Sequence, residues 1–259
     1  MKKALKIIGI MLVLGFIANC GGDRDHLLRY NVEDGDSYNL TFTMSMEGLL
    51  TIEMNMGSTL DIISTNDNEI VTRTSFNSIS MDMSMSGESV SYDSRNPYGS
   101  EFSNLMHKNI SPMLSAKLET TINDRGRVLK APDLASIFDN NPNLQAQMSD
   151  MTKQMENMFV EYPEKALKIG ESFNYGLKND EVTYTSVLTL TEVTDTEYIF
   201  KITGDVSASS GGQDVTGTMT GTQTFFRESC MPKSSDMTVR MEVSGMTMTM
   251  ETSMEVEKY

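Results

Sequence analysis

Tryptophan is absent from the 259 residues, cysteine and histidine occur twice each, and proline only six times. Basic residues are also scarce, with 21 Lys and Arg against 36 Asp and Glu and a net charge of −15. Each shortage closes off a class of protein. Two cysteines, Cys20 and Cys230, are too few for a disulfide framework. His26 and His107 have no Cys, His or carboxylate partners at metal-ligand spacing, so no zinc site is spelled out. The many serines lack a nucleophile elbow, and the acidic residues are scattered over polar positions rather than set as a catalytic pair. Ser209-Ser210-Gly211-Gly212 lacks the lysine and helix of a phosphate loop. The acidic balance argues against nucleic acid and against a basic patch for lipid headgroups. The expectation is a protein with no enzymatic activity, cofactor or metal centre, and with Cys230 an inert thiol.

The longest apolar run opens the chain, MKKALKIIGIMLVLGFIANC. Lys2, Lys3 and Lys6 make a basic n-region, and Ile7 to Ile17 is too short to span a bilayer comfortably. The ending Ala18-Asn19-Cys20 resembles a bacterial lipobox, whose cysteine is lipidated and becomes the first mature residue. Asn19 departs from the small residue usual there, and an ordinary secretory signal with an incidental cysteine is the competing reading. The lipoprotein reading predicts a leader over residues 1–19, an acylated Cys20 (a palmitate-type anchor) and a tether over 20–29. It places the protein in the bacterial cell envelope, attached to the membrane through its N-terminal lipid. Gly21 carries no acidic retention signal, which favours the outer membrane. Loss of 19 residues holding three lysines and no acid leaves 240 residues at net charge −18.

What the chain has in excess is methionine, 23 residues. Leu40, Phe42, Met44 and Met46 alternate with polar residues, the period of a half-buried strand. A three-residue loop over 47–49 would place Met46 opposite Leu50, Met44 opposite Ile52 and Phe42 opposite Met54, with Met56 on the same face. Ile79, Met81, Met83 and Met85 lead to a Ser86-Gly87 turn that pairs Met83 with Val90 and Met81 with Tyr92. Met237, Val239, Met241 and Val243 sit at odd positions, and Met246, Met248 and Met250 at even ones. A two-residue turn at Ser244-Gly245 explains that switch, and so does a bulge inside one strand.

Between these series, Glu101 to Lys108 predicts a short helix, with strands near Leu114–Ile122 and Arg127–Lys130. Asn141-Pro142 has the form of a helix start. Leu144, Met148, Met151, Met155, Met158 and Phe159 then follow at helical spacing. Strands are expected over Glu171–Tyr175, Val182–Val193, Tyr198–Val206 and Val215–Phe226. In the last of these, Gly217, Met219, Gly221 and Phe225 share a face, which suits sharp curvature or close approach of a neighbour.

Gly35-Asp36-Ser37-Tyr38-Asn39 matches Gly170-Glu171-Ser172-Phe173-Asn174, and Leu60-Asp61-Ile62 matches Leu188-Thr189-Leu190. The match predicts a single β-rich domain over 30–259. Within it, two related parts (about 30–131 and 166–259) flank a helical insert at about 133–162. Shared β-meander openings would produce the same likeness.

Tyr162-Pro163-Glu164-Lys165-Ala166-Leu167-Lys168-Ile169-Gly170-Glu171-Ser172-Phe173 resembles a recurring block of an uncharacterised family of bacterial exported lipoproteins. Gly35-Asp36-Ser37-Tyr38 and Asn123-Asp124-Arg125-Gly126-Arg127-Val128 fit the same pattern. The resemblance implies the architecture of periplasmic lipoprotein carriers and brings no catalytic residue. It implies a β-rich α+β fold, a strongly curved antiparallel sheet forming an open half-barrel with helices packed in its concave face.

Three readings of the methionines remain. They fill an irregular core; or Met44, Met46, Met54, Met56, Met81, Met83 and Met85, with Met219, Met246, Met248 and Met250, line a site for an acyl chain or lipid, with Met148, Met151 and Met155 opposite; or Met-x-Met pairs take copper or silver. A protein-interaction or structural lipoprotein with no small ligand is the other alternative.

Overall fold

The computed structural model describes residues 24–259 apart from 49, 67, 86, 139–158, 179–181, 211–212 and 244. The expected helix from Pro142 through Met158, and with it Met148, Met151 and Met155, lies outside the described residues. So do the leader and Cys20.

Twelve strands form one antiparallel sheet: β1 Ser37–Glu47, β2 Thr51–Asn66, β3 Glu69–Met85, β4 Glu88–Asp93, β5 Lys117–Ile122, β6 Val128–Lys130, β7 Ser172–Lys178, β8 Val182–Val193, β9 Glu197–Ser210, β10 Gln213–Phe226, β11 Pro232–Val243 and β12 Met246–Lys258. Their order is β6-β5-β3-β2-β1-β12-β11-β10-β9-β8-β7, so first and last strands pair in mid-sheet. β4 runs beside Ser80–Met85 of β3, and β5 beside Ile70–Ser75. Among the described residues the sheet is not closed: β6 and β7 end its path.

A flat sheet would hold those edges roughly 48 Å apart, ten steps of about 4.8 Å. Yet Val128 of β6 and Phe173, Asn174, Tyr175 and Gly176 of β7 line one cavity of about 320 Å³, together with Arg125, Phe159 and Tyr162. The sheet therefore curls until its edges face one another across the segment 159–163. Bulges between Gly57/Ser58, Ile62/Ser64, Leu190/Glu192 and Thr224/Phe225 add twist along the way.

The buried core is concentrated at one end of the strands. Tyr38, Ile62, Leu190, Phe200, Phe225 and Val256 come from strand residues near that end. Leu28, Tyr30, Phe159, Val160, Tyr162 and Leu167 come from two segments that cross it. Edge-to-face rings tie these together: Tyr162–Phe225 at 5.6 Å, Phe200–Phe225 at 5.5 Å and Phe173–Phe200 at 5.9 Å between centroids. The folded unit begins earlier than Tyr30. His26 exchanges backbone hydrogen bonds with Leu167 at 2.8 and 2.9 Å, and Leu28 is buried. What reads as tether over 26–29 is part of the fold, because the apolar Leu28 and Tyr30 alternate inward.

Met83 pairs with Val90 and Met81 with Tyr92, as the sequence predicts. Val243 pairs with Met246, so the chain reverses between β11 and β12 and does not bulge within one strand; Gly87 and Gly245 supply the positive φ, 88° and 79°. The first hairpin differs. Met46 faces Ile52, Met44 faces Met54 and Phe42 faces Met56, two residues out of the expected register. Glu47 and Thr51 are held by their other neighbours, Thr249 and Ser84, rather than by each other, which widens the turn. The shift is even, so every side chain keeps its face.

Among the described residues there is one α-helix, α1 Glu101–Ser115, lying beside β3 and β4. Ser100 Oγ caps it by accepting from Ser103 N at 3.0 Å. It extends past Lys108 because Pro112 is tolerated inside it, so Leu114 is helical and β5 starts only at Lys117. In the second half, β8 spans the expected Val182–Val193. β7, β9 and β10 run two to four residues beyond their expected ends.

The two matched blocks make the same hydrogen bonds. Gly35 N donates to Ile62 O and Ile62 N to Asp36 O; Gly170 N donates to Leu190 O and Leu190 N to Glu171 O, all at 2.7–2.9 Å. Both glycines have φ near +90°, and a bulge follows Ile62 and Leu190 alike.

Candidate functional site

Strand register assembles the methionines into rows across one face. Met83, Ile52, Met46, Met250, Val239 and Met219 follow one another over β3, β2, β1, β12, β11 and β10. One step toward the core the row is Met81, Met54, Met44, Thr252, Met237 and Gly221, and one step further Ile79, Met56, Phe42, Met254, Ser235 and Gln223. Met248 pairs with Met241, which faces Gly217. Thus Met44, Met46, Met54, Met56, Met81, Met83, Met85, Met219, Met246, Met248 and Met250 all belong to the face that also carries the buried Tyr38 and Phe225. Met237, Met241 and Met254 join them, as do Ile52 and Phe42. Their period of two was the available signal.

The face divides into two regimes. On β9–β11 it is tightly interlocked. A Cβ on Gly217 would run into the Arg240 carbonyl and Met241 Cγ; one on Gly221 would meet the Asp236 carbonyl and Met237 Cγ; one on Gly204 would meet the Thr185 carbonyl and Met219 Cε. Each glycine thus makes room for a methionine on the neighbouring strand. Met219 is buried there, as is Val239. Over β1–β3 and β12 such a glycine recurs once among the described residues, at Gly48 just past β1, where a Cβ would meet Met248 Cγ. Met44, Met46, Met54, Met56, Met81, Met83, Met248 and Met250 are half-buried, while Met246 and Met85 are 41% and 61% exposed. Methionine, unbranched and polarizable, suits a surface that must pack against variable partners.

The opposite face is polar. Thr43, Ser45, Glu53, Asn55, Thr220, Thr222, Asp236, Thr238, Glu251 and Ser253 line a depression of about 630 Å³, to which Met44, Met54 and Met237 also contribute.

Elsewhere the two histidines, Cys230 and the core tyrosines are committed to structure. His107 Nδ1 lies 3.2 Å from Tyr92 Oη, and the His26 ring stands edge-on to Tyr198 at 5.7 Å. Burial, then Arg227 and Arg24, lowers the His26 pKa. Tyr162 Oη donates to Cys230 O at 2.6 Å. Burial raises the Cys230 thiol and the Tyr30 and Tyr162 phenols, so all three stay neutral. Cys230 takes a left-handed φ of 53° in the β10–β11 turn, where Gly126, at 90°, occupies the β5–β6 turn. Among the described residues no three His, Cys, Asp or Glu side chains are placed to hold a metal ion. None of the described helices is long and apolar enough to cross a membrane.

The profile of a family described as a family of unknown function (DUF6263) matches residues 67–258. No curated protein matches. An outer membrane channel from Pseudomonas putida F1 aligns over 91% of this chain and 100% of its own, at 6% identity and a TM-score of 0.20. A protein described under "Asymmetric conductivity of engineered proteins" aligns over 86% and 99%, at 8% identity and a TM-score of 0.18. At such scores neither likeness bears on fold or activity.

Proposed function

Because the chain belongs to the DUF6263 family, whose function is unknown, its role must be read from its own residues, and we propose a non-enzymatic, lipid-anchored envelope protein that binds a flexible apolar ligand. The ligand is an acyl chain or lipid, held on the methionine face of a half-barrel-like sheet. The observation that carries this reading is the run of half-buried methionines over β1–β3 and β12, continuous with the buried core and, apart from Gly48 against Met248, without the glycine interlock of β9–β11. Soluble proteins seldom leave such contiguous apolar surface without a use. The lipobox-like Ala18-Asn19-Cys20 supplies the anchor and the envelope location, at the outer membrane. Native mass spectrometry and lipid extraction of the protein purified from envelopes test it. Co-purifying acyl lipid, and uptake of a fluorescent fatty acid that falls several-fold in Met54→Ser/Met81→Ser, are expected. A folded protein with neither would overturn it.

A packing role is the second reading, favoured by the way Met219, Met237 and Met241 fill the space over Gly204, Gly221 and Gly217. It predicts that methionines on β1–β3 matter for stability as much as Met219 does.

A further inference from the structure

Every neighbouring pair on the sheet path is antiparallel, and eleven strands follow one another from β6 to β7. An odd number leaves the two end strands running the same way. β6 leaves the Asn123–Arg127 turn and β7 follows Gly170, both at the core end, and both run toward the distal end that carries the methionines. They cannot join in the antiparallel pairing used everywhere else; one further strand, antiparallel to both, would complete the ring. The curl of the sheet has already brought them to the two sides of one gap, the cavity of about 320 Å³ lined by Val128 and by Phe173 to Gly176.

Register shows which backbone groups face that gap. Leu190 N donates to Glu171 O, so the hydrogen-bonded pairs with β8 fall on Phe173 and Tyr175. The N–H and C=O of Asn174 and Gly176 therefore turn away from β8. Across the gap Asn123 N donates to Arg127 O, so Val128, opposite Ile122, turns its own N–H and C=O away from β5. Nor is the β7 edge blunted in the usual ways: Ser172 to Leu177 contains neither proline nor charge. The floor of the gap is apolar, since Val128, Phe173 and Tyr175 are partly buried against the core, and Asn174 alternates outward. Its rim is basic. Arg125 is held by Glu161 and Glu164, but Arg127, which also lines the gap, and Lys130 are exposed and make no ion pair with the described residues. These are unmatched cations in a chain of net charge −15.

We infer that the gap between β6 and β7 is a strand-addition site for an extended peptide segment of a partner protein, one in which apolar and acidic residues alternate. Its backbone bonds Asn174 and Gly176 on one side and Val128 on the other. Its apolar residues complete the contacts of Val128, Phe173 and Tyr175, and its carboxylates meet Arg127 and Lys130. An extended chain suits two edges at once, because alternate residues turn their N–H and C=O to alternate sides. The core end of the gap is already crossed: Tyr162 N donates to Arg125 O and Arg125 Nε to Tyr162 O, both at 2.8 Å. The added strand therefore enters from the distal end and finishes against that contact. This site lies at the sheet edges, apart from the methionine rows, and does not depend on a ligand there.

The test uses the full chain and a fluorescently labelled short peptide in which valine alternates with glutamate. Anisotropy titration should give binding at least ~10-fold tighter than for a peptide of the same composition in scrambled order. Two more peptides carry N-methyl groups on alternate residues, one on the valines and one on the glutamates, which removes the N–H groups facing one edge at a time. Each should bind about 10-fold more weakly than the parent. Hydrogen exchange on the complex should slow at Val128, Asn174 and Gly176. Arg127→Glu, an exposed change, should weaken the glutamate peptide about 5-fold with an unaltered melting temperature. Equal binding of alternating and scrambled peptides, binding of neither, or protection confined to other strands would each overturn the site. So would an undiminished affinity in Arg127→Glu, and sensitivity to only one N-methylated set would reject pairing with both edges. Fatty-acid uptake on the same samples reports on the methionine face alone, so either result can fail while the other stands.

Discussion

Two glycines contrast the crowded core end with an open hairpin tip. Gly126 turns at φ 90°, and a Cβ there would run into the Val160 carbonyl and the Tyr30 ring. Gly87 turns at φ 88° with nothing within 4 Å of such a Cβ. Gly126→Ala should therefore cost about 3 kcal/mol or more, and Gly87→Ala about 1 kcal/mol, since only the left-handed backbone is penalised there. Urea unfolding of the two variants checks the difference. Cys230 pays the left-handed penalty with a side chain present, and its thiol is buried with a raised pKa. It should not react with a disulfide reagent at pH 8 until the protein unfolds; stoichiometric labelling of the native protein would contradict that. A cysteine with no intrachain partner beside Met231-Pro232 pointed to a packed thiol, and Cys230 is buried. Its left-handed backbone was not legible, because the residue type carries no signal for it: the β5–β6 turn meets the same demand for positive φ with Gly126, whereas here a cysteine does.

At the scale of elements, the join between β1 and β12 closes the chain ends into mid-sheet, and Asp36 and Lys258 clasp it at 2.8 Å. Burial by itself would raise the Asp36 pKa, but the hydrogen bonds from Lys258 and Glu33 N outweigh it and the net shift is downward. The Lys258 pKa is raised, first by the hydrogen bond to Asp36. The two shifts fix the pH window. A depressed carboxyl contributes stability above its unfolded value near 3.9, lost as pH falls through the folded value. A raised ammonium contributes below its unfolded value near 10.4, lost as pH rises through the folded one. The clasp thus holds between about pH 4 and pH 10. Asp36→Asn should lower stability by about 1 kcal/mol at pH 7 and flatten the acid limb of a urea-midpoint profile between pH 2.5 and 7. Parity and two-residue turns were readable in Met81–Tyr92 and Val243–Met246, because glycine at positive φ fixes register locally. The Met46–Ile52 register was not, because Glu47 and Thr51 are positioned by strands distant in sequence. The repeated Gly-acid-Ser-aromatic openings show in their shared hydrogen bonds why that motif is spelled as it is. A positive-φ glycine starts the strand, and its N–H reaches across to the strand that follows.

Across the whole molecule, alternation announced one apolar face but gave no hint that burial would be graded along it. The grading arises because the covering segments, 26–35 and 159–171, cross only the end where Tyr38, Leu190 and Phe225 lie. Composition marks the boundary in hindsight, with aromatics and branched aliphatics under those segments and methionines beyond them. This separates stability from binding in a measurable way. Leu28, 1% exposed, and Met219, 7% exposed, should each cost about 3 kcal/mol when changed to Ala and Ser respectively, through lost burial and the cavity left behind. Met85→Ser and Met246→Ser, at 61% and 41% exposed, should stay within about 0.5 kcal/mol of the parent. If thermal and urea midpoints follow that division, the distal methionines are not held in place by the needs of folding, and their clustering calls for a ligand. If instead Met85→Ser and Met246→Ser destabilise as much as Met219→Ser, the face is a core throughout, and the packing reading displaces the apolar-ligand proposal.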